Sequence, residues 1–521
     1  MSCTIDDPSE GLETGSCYAS RAEASGEQCR QGNVSHILLD NGLTWTGLVR
    51  CCASRKTIDD IPDDVLLDIF GFYGISPMYP ETVYSVWEWH VLAHVCRKWR
   101  DVVFASADRL GLRLHCTPIT PARKTLDIWP PLPIVVDNPP YLHSHPEADD
   151  DNLIAALEQR DRVCMITMPR LTHCQLERFD AALQEPFPPL THLHLGSNDE
   201  VAPVLPVTFM GGSAPCLQCL EVTNISFPTL PNLVLSPNDL TSIELCDIPS
   251  TSYISPDAMV AFLSPLTRLR HLIIECKSPS PSDPTSRRVT PPTRALLPAL
   301  VYFRFKGTSE YLEDMVVQID TPLLSILDVV LFNQLTFSIP RLSRFIHRAE
   351  TLKSLSQVEL SFSTHHVLIK LSLHVALSVS LCVPCTPSDW QLSSIRQLCG
   401  QILPLPFNVE RLEIYDDTID TPKWQDNIDH AQWLEVLQPF TSVRELHVSE
   451  TMWPLLAPIL KEHTGERTMD VLPMLCDLFL GGTRPSESLP EAIEPFVSAR
   501  KLAGHPIVVH YREEQGENAV N

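Results

Sequence analysis

Leu190-T-H-L-H-L is the stretch from which the fold can be read, because its L-x-x-L-x-L pattern keeps returning along the chain. It stands again at Leu217-Q-C-L-E-V, Leu240-T-S-I-E-L, Leu269-R-H-L-I-I, Leu300-V-Y-F-R-F and Leu324-S-I-L-D-V. Further copies are Leu355-S-Q-V-E-L, Val409-E-R-L-E-I, Val443-R-E-L-H-V and Leu475-C-D-L-F-L. From first residue to first residue the gaps are 27, 23, 29, 31, 24, 31, 54, 34 and 32; all but one lie near a single repeat length, and 54 is about two. Successive side chains on a strand point to opposite faces, so the spaced leucines share one buried face.

Helix signals fill the intervals. Ser255-Pro256 precedes Met259, Val260 and Leu263; Ser309 precedes Leu312, Met315, Val316 and Ile319; Leu342, Phe345, Ile346 and Ala349 form another stripe. Thr386-Pro387-Ser388-Asp389 has capping-box spacing before Leu392, Ile395 and Cys399. Strand and helix alternating at this period predict an α/β fold, an irregular leucine-rich-repeat solenoid. The strands lack the asparagine that usually follows them in such repeats. The long interval Leu355–Val409 is apolar at every second position from Val367 to Val383; with Val358–Phe362 it predicts a hairpin or added strands interrupting the array.

The residues flanking the fourth position of each pattern are predicted to line the other face. They are His192, His194, Cys219, Glu221, Ser242, Glu244, His271, Ile273, Tyr302 and Arg304, then Ile326, Asp328, Gln357, Glu359, Arg411, Glu413, Glu445, His447, Asp477 and Phe479. Seven carboxylates against two arginines make a mostly acidic stripe with aromatic anchors. Such a stripe suits a basic peptide or protein surface, and equally an ordinary solvated face.

Upstream, Thr57 to Ser106 contains I-P-D-D-V-L-L-D-I-F and later V-C-R-K-W-R-D. Pro62 suits a first helical turn, and Asp63 and Asp64 favour the positive end of the helix dipole. Val65, Leu66, Ile69, Phe70 and Tyr73 make a wide apolar stripe. Leu92, Val95, Cys96 and Trp99, followed by Val102 and Val103, predict a second and a third helix. So small a unit is marginal alone and is expected to dock on something.

This stretch resembles an F-box, a motif that binds the Skp-type adaptor of a cullin–RING ubiquitin ligase. The resemblance implies that Ile61, Pro62, Val65, Leu66, Ile69 and Phe70 face the adaptor, and that Cys96 and Trp99 pack the motif together. Ile61 stands where Leu is commoner, and Gly71–Glu81 is a longer, Pro-interrupted linker. The repeats are similar to the degenerate leucine-rich repeats that often follow an F-box. The block at 424–440 and the end A-R-K-L-A-G-H-P-I-V-V at 499–509 resemble an F-box-like family of mushroom-forming fungi.

The expected layout is a disordered segment at 1–55, the F-box at 56–112, a Pro-rich connector at 113–147 with one strand at Pro133–Asp137, the solenoid at 148–511, and a tail at 512–521. Thirty-nine basic against 64 acidic residues give a formal charge of −25, which points away from nucleic acid. No signal peptide, membrane span or lipidation box is visible, so a cytoplasmic or nuclear protein with reduced thiols is expected. His192 and His194 form H-x-H without a nearby third ligand. The pairs Cys216/Cys219 and Cys382/Cys385 lie too far apart for a zinc ribbon and read as buried thiols. No metal or cofactor is expected. No nucleophile elbow, phosphate loop, dinucleotide fingerprint or H-E-x-x-H occurs, so the chain is not expected to be an enzyme. The leading expectation is a ligase substrate receptor; the alternatives are a scaffold uncoupled from ubiquitination and, more remotely, an enzyme with a dispersed site.

Overall fold

The computed structural model describes residues 58–74, 88–142, 149–206, 208–228, 233, 239–278, 294–332, 337–374, 376–385, 388–402, 409–416, 430–462, 469–481 and 493–512. The expected N-terminal segment, most of the Gly71–Glu81 linker, the Thr386-Pro387 cap and the tail beyond 512 lie outside them. Two units are distinguished, Met1–Ile61 and Pro62–Asn521. In the first, Ile58–Asp60 forms a 3-10 turn that the Ile61 N–H closes on the Ile58 carbonyl at 3.3 Å. The rest of the description concerns the second.

Three helices open it: α1 (Asp63–Gly74), α2 (Glu88–Val95) and α3 (Arg97–Ala105). Their small core joins Leu66 and Phe70 to Trp89, Leu92, Ala93, Val102 and Val103. Cys96 caps α3, its sulfur accepting from the Trp99 N–H at 3.4 Å, and the Trp99 ring meets Phe70 edge-on at 4.8 Å.

A mixed α/β body follows, built on a 16-stranded, mostly parallel sheet that does not close into a barrel. Its first strands are β1 (Leu114–Cys116), β2 (Ile134–Asp137), β3 (Val163–Met168), β4 (His192–Gly196), β5 (Cys219–Thr223), β6 (Ser242–Ile248) and β7 (His271–Cys276). Each pairs with the next in parallel. A separate two-stranded sheet joins β8 (Ala295–Leu296) to β10 (Ile319–Asp320). The main sheet continues through β9 (Tyr302–Gly307) and β11 (Ile326–Leu331).

Then comes a meander, β12 (Gln357–Phe362), β13 (His366–His374) and β14 (Leu377–Pro384), whose internal pairings are antiparallel. It enters reversed, with β14 beside β11, so that β12 can run parallel to β15 (Arg411–Asp416). This is the interruption expected from the double-length interval. The sheet ends with β16 (Glu445–Val448), β17 (Asp477–Gly481) and β18 (Val508–Arg512). Each of the ten L-x-x-L-x-L segments holds a strand.

The spaced apolar residues stand in register. Leu193, Leu220, Ile243, Leu272, Phe303 and Leu327 form one row that reaches Leu412, Leu446 and Leu478 through the meander. All are buried. Each large aliphatic side chain so buried contributes roughly 1.5–3 kcal/mol.

Connecting helices pack on their neighbours in series: α4 (Ala122–Ile128), α5 (Asp150–Leu157) and α6 (His173–Leu183) in one run. The second run is α7 (Pro256–Leu263), α8 (Ser309–Val316), α9 (Pro340–Arg348), α10 (Ser388–Ile402), α11 (His430–Leu437), α12 (Trp453–Glu462) and α13 (Glu494–Leu502). Glu313 of α8 caps the start of α9, accepting from the N–H groups of Arg341 at 2.9 Å and Leu342 at 2.7 Å. A carboxylate at that helix end satisfies donors that have no partner within the helix.

Two expectations change. The stretch 113–147 is no extended spacer, because it supplies β1, α4 and β2 to the body. Its prolines fall at element boundaries, Pro121 just before α4 and Pro133 just before β2, where a fixed φ and a missing N–H do no harm. An asparagine does follow some strands: buried Asn224, next after β5, donates to the carbonyls of Ser197 (3.0 Å) and Asp199 (2.9 Å).

Candidate functional site

The apolar stripe of α1 divides. Residues one position apart on a helix point about 100° apart, so a stripe this wide cannot all face one way. Leu66 and Phe70 turn into the three-helix core, whereas Val65 and Ile69 are 44 % and 47 % exposed. Phe72 of α1 and Val91 and Val95 of α2 are also exposed, giving an open apolar surface on this helical unit. Pro62 is exposed and Ile61 half-buried. Of the six residues expected to face a partner, Leu66 and Phe70 instead hold the unit together.

The opposite face of the sheet brings together every residue expected there from β4 to β17. In register run His194, Glu221, Glu244, Ile273, Arg304 and Asp328; past β14 and β13 the row continues in Glu359 of β12, then Glu413, His447 and Phe479. The neighbouring row is His192, Cys219, Ser242, His271, Tyr302 and Ile326, then Gln357, Arg411, Glu445 and Asp477.

The acidic stripe is largely paired within itself. His194 lies 3.2 Å from Glu221, and the Tyr302 hydroxyl donates to Asp328 at 3.0 Å. Arg411 meets Glu413 at 2.6 Å, and His447 lies 3.6 Å from Glu445. Burial and then the Glu221 charge push the Glu244 carboxyl up, against the opposing pull of His194, His271 and a hydrogen bond from Ser242. His192 is pushed down by burial and by Arg113, so its neutral form is favoured.

Other partners on this face escaped sequence reading. Glu275 pairs with Arg304 at 2.7 Å, Lys306 with Asp247 at 3.6 Å, and Lys370 with Glu359 at 4.0 Å; the Tyr415 hydroxyl also donates to Glu359. Period two extended by one more step would have found Glu275, Lys306 and Tyr415. The alternation of Val367–Val383 would likewise have set Lys370 on this side.

At the far edge the rows end in a stack of rings. His447 lies on Phe479 at 4.2 Å and 6°, and Phe479 on His510 at 4.5 Å and 14°. His510 also lies 2.9 Å from Asp477. No L-x-x-L-x-L marks β18, so His510 was not foreseen.

Among the described residues no group of three or more His, Cys, Asp or Glu is arranged to hold a metal ion. Cys382 and Cys385 have their thiols pushed up by burial to about 11. Cys216 is exposed rather than buried, because it precedes β5 instead of lying within it. No described helix is long and apolar enough to cross a membrane. The chain matches no protein-family model and none of the curated proteins.

Proposed function

We propose that this chain is the substrate-recognition subunit of an SCF-type cullin–RING ubiquitin ligase, with α1–α3 acting as an F-box and the sheet as a leucine-rich-repeat solenoid that holds a target protein. The observation that carries this reading is the division of the α1 stripe. Leu66 and Phe70 are spent on internal packing, yet Val65, Ile69, Phe72, Val91 and Val95 remain open to water. A surface of that kind, in a motif with the Ile61-Pro62 start and the V-C-R-K-W-R close, suits the apolar groove of a Skp-type adaptor.

The test is co-purification with the adaptor. Val65→Asp with Ile69→Asp changes only exposed side chains, so the fold should persist while capture of the adaptor is lost. Retention of the adaptor by that double variant would overturn the proposal.

A second reading, a repeat scaffold uncoupled from ubiquitination, has its own support. The same helices meet the start of the sheet body: the Trp89 indole N–H donates to the Arg113 carbonyl at 3.1 Å, just ahead of β1. Trp129, after α4, makes ring contacts with Trp89, His90, His94 and Phe104. These helices could therefore serve only to cap the array. A wild-type chain that never captures the adaptor favours this second reading.

A further inference from the structure

We infer that the outer edge of β18 is a docking strand for an extended, basic segment of a partner protein carrying an aromatic residue opposite His510. The inference rests on the reading that the sheet body holds a protein target, but not on adaptor docking.

Three observations meet at this edge. First, β18 is the last strand of the sheet among the described residues. The Val508 N–H donates inward to the Cys476 carbonyl at 2.8 Å. In a parallel ladder the bonding direction alternates, so the N–H and C=O groups of Val509 and Tyr511 point outward, where an added strand could bond them.

Second, the ring stack opens toward that edge. The His447 side chain is 15 % exposed and that of His510 is 40 % exposed. The rings occupy successive positions in strand register, His447 beside Phe479 beside His510. A strand added in the same register would set its own ring on the outer face of His510, continuing a stack of 4.2 and 4.5 Å spacings.

Third, charge selects the occupant. Glu445 and Asp477 flank the stack, 45 % and 38 % exposed beside His447 and His510, and the chain as a whole carries −25. A basic segment is attracted to such a surface, whereas a second copy of the chain is repelled. One five-residue strand also offers far less area than the roughly 1,200–2,000 Å² of a stable protein dimer.

The test uses the full chain and a fluorescent peptide of alternating Lys and Thr around a central Phe, followed by fluorescence anisotropy. The Phe peptide should bind roughly three- to tenfold tighter than its central-Ala counterpart, the range expected of one aromatic stack. Val509→Pro removes an outward N–H while sparing the ladder to β17, so it should abolish binding with the melting temperature nearly unchanged. His510→Ala should erase the preference for Phe. If Val509→Pro does not fold, a peptide N-methylated at alternate positions asks the same question of the wild type and should not bind.

Lack of binding by the wild type, or equal binding by the N-methylated peptide, would overturn the inference. So would binding that appears only after residues 513–521 are removed, which would make the chain's own end the occupant. Concentration-dependent self-association abolished by Val509→Pro would assign the edge to a second copy instead. Adaptor capture, measured alongside, should be the same in the wild type and in Val509→Pro. A failure at this edge is thereby separated from a failure of the F-box reading.

Discussion

The two edges of the sheet are finished differently. At β1, Leu114 and Cys116 are fully covered, and the strand follows an Arg113 carbonyl that Trp89 bonds. At β18, Val508 is 55 % exposed and Leu502, at the end of α13, is 89 % exposed. A sheet edge needs either a cover or a reason to be open. The cover at β1 is built from the helical unit's own aromatic rings, so that unit does two jobs with two sets of side chains. Its inward residues and its tryptophan seal the array, and its outward valines and isoleucine remain for something else.

The strongest way to break this contrast is Trp89→Ala. Trp89 is buried and lies in ring contact with Phe104 and Trp129 as well as bonding Arg113. Truncating a buried tryptophan costs about 3–5 kcal/mol. Hydrogen–deuterium exchange should show β1 and β2 losing protection while β16–β18 keep theirs. The matching truncation at the open edge, Val508→Ala, should shift stability by less than about 0.5 kcal/mol. Similar losses from both variants would mean that the edges do not differ.

A pH series sharpens the picture of the covered edge. His115 of β1 pairs with Val135 of β2, which puts His115 and Asp137 on one side of the sheet. Burial, with Arg113 and His90 adding to it, lowers His115 from 6.5 to about 4. Burial raises Asp137 from 3.8 to about 6. As pH falls from 6.5 to 4, the unfolded chain takes up a proton on His115 that the folded chain refuses, and stability is lost. As it falls from 6 to 3.8, the folded chain takes up a proton on Asp137 that the unfolded chain does not, and stability is regained. Each effect is worth roughly 3 kcal/mol, so the two nearly cancel between pH 6 and 4. His115→Asn should therefore grow more stable toward pH 4 relative to wild type, and Asp137→Asn less stable, as read from urea midpoints. Parallel curves for all three proteins would show that neither group titrates as described.

The same contrast explains what the sequence could and could not say. Ten strands were legible because a buried leucine at positions one, four and six leaves a period-two mark that survives drift in repeat length. The strands at both edges were not. L-H-C at 114–116 is too short to show a period, and β18 ends in H-Y-R rather than a third leucine. The proline-rich run before β2 looked like a spacer because composition registers how many prolines there are, not where they fall. On the helical unit the stripe itself was correct. Its division between Leu66 and Val65 was hidden, because which side of a wide stripe turns inward depends on Trp99 and Trp89, far along the chain. The charged face was legible residue by residue, but its neutralisation was not. Lys370 reaches Glu359 because β12 and β13 pair antiparallel in a register that sets the two residues opposite each other.

An effect smaller than that of Trp89→Ala or of the pH series is expected where the ring stack meets the open edge. Phe479 has a ring on each side, His447 and His510, whereas among the described residues His510 has a ring on one side only, with Asp477 at 2.9 Å. An aromatic pair contributes about 0.5–1.5 kcal/mol beyond its buried area. Phe479→Leu keeps most of the apolar volume and gives up two such contacts; His510→Ala gives up one, together with a part-exposed ion pair of little worth. The expected loss is thus about twice as large for Phe479→Leu, with the double variant falling short of the sum because the Phe479–His510 contact is counted in both. Amide exchange in β18 should rise in both single variants and leave β11–β15 unchanged. If His510→Ala instead matches or exceeds Phe479→Leu, the terminal ring is held by more than its one neighbour, and the edge is not as open as the exposure of Val508 implies.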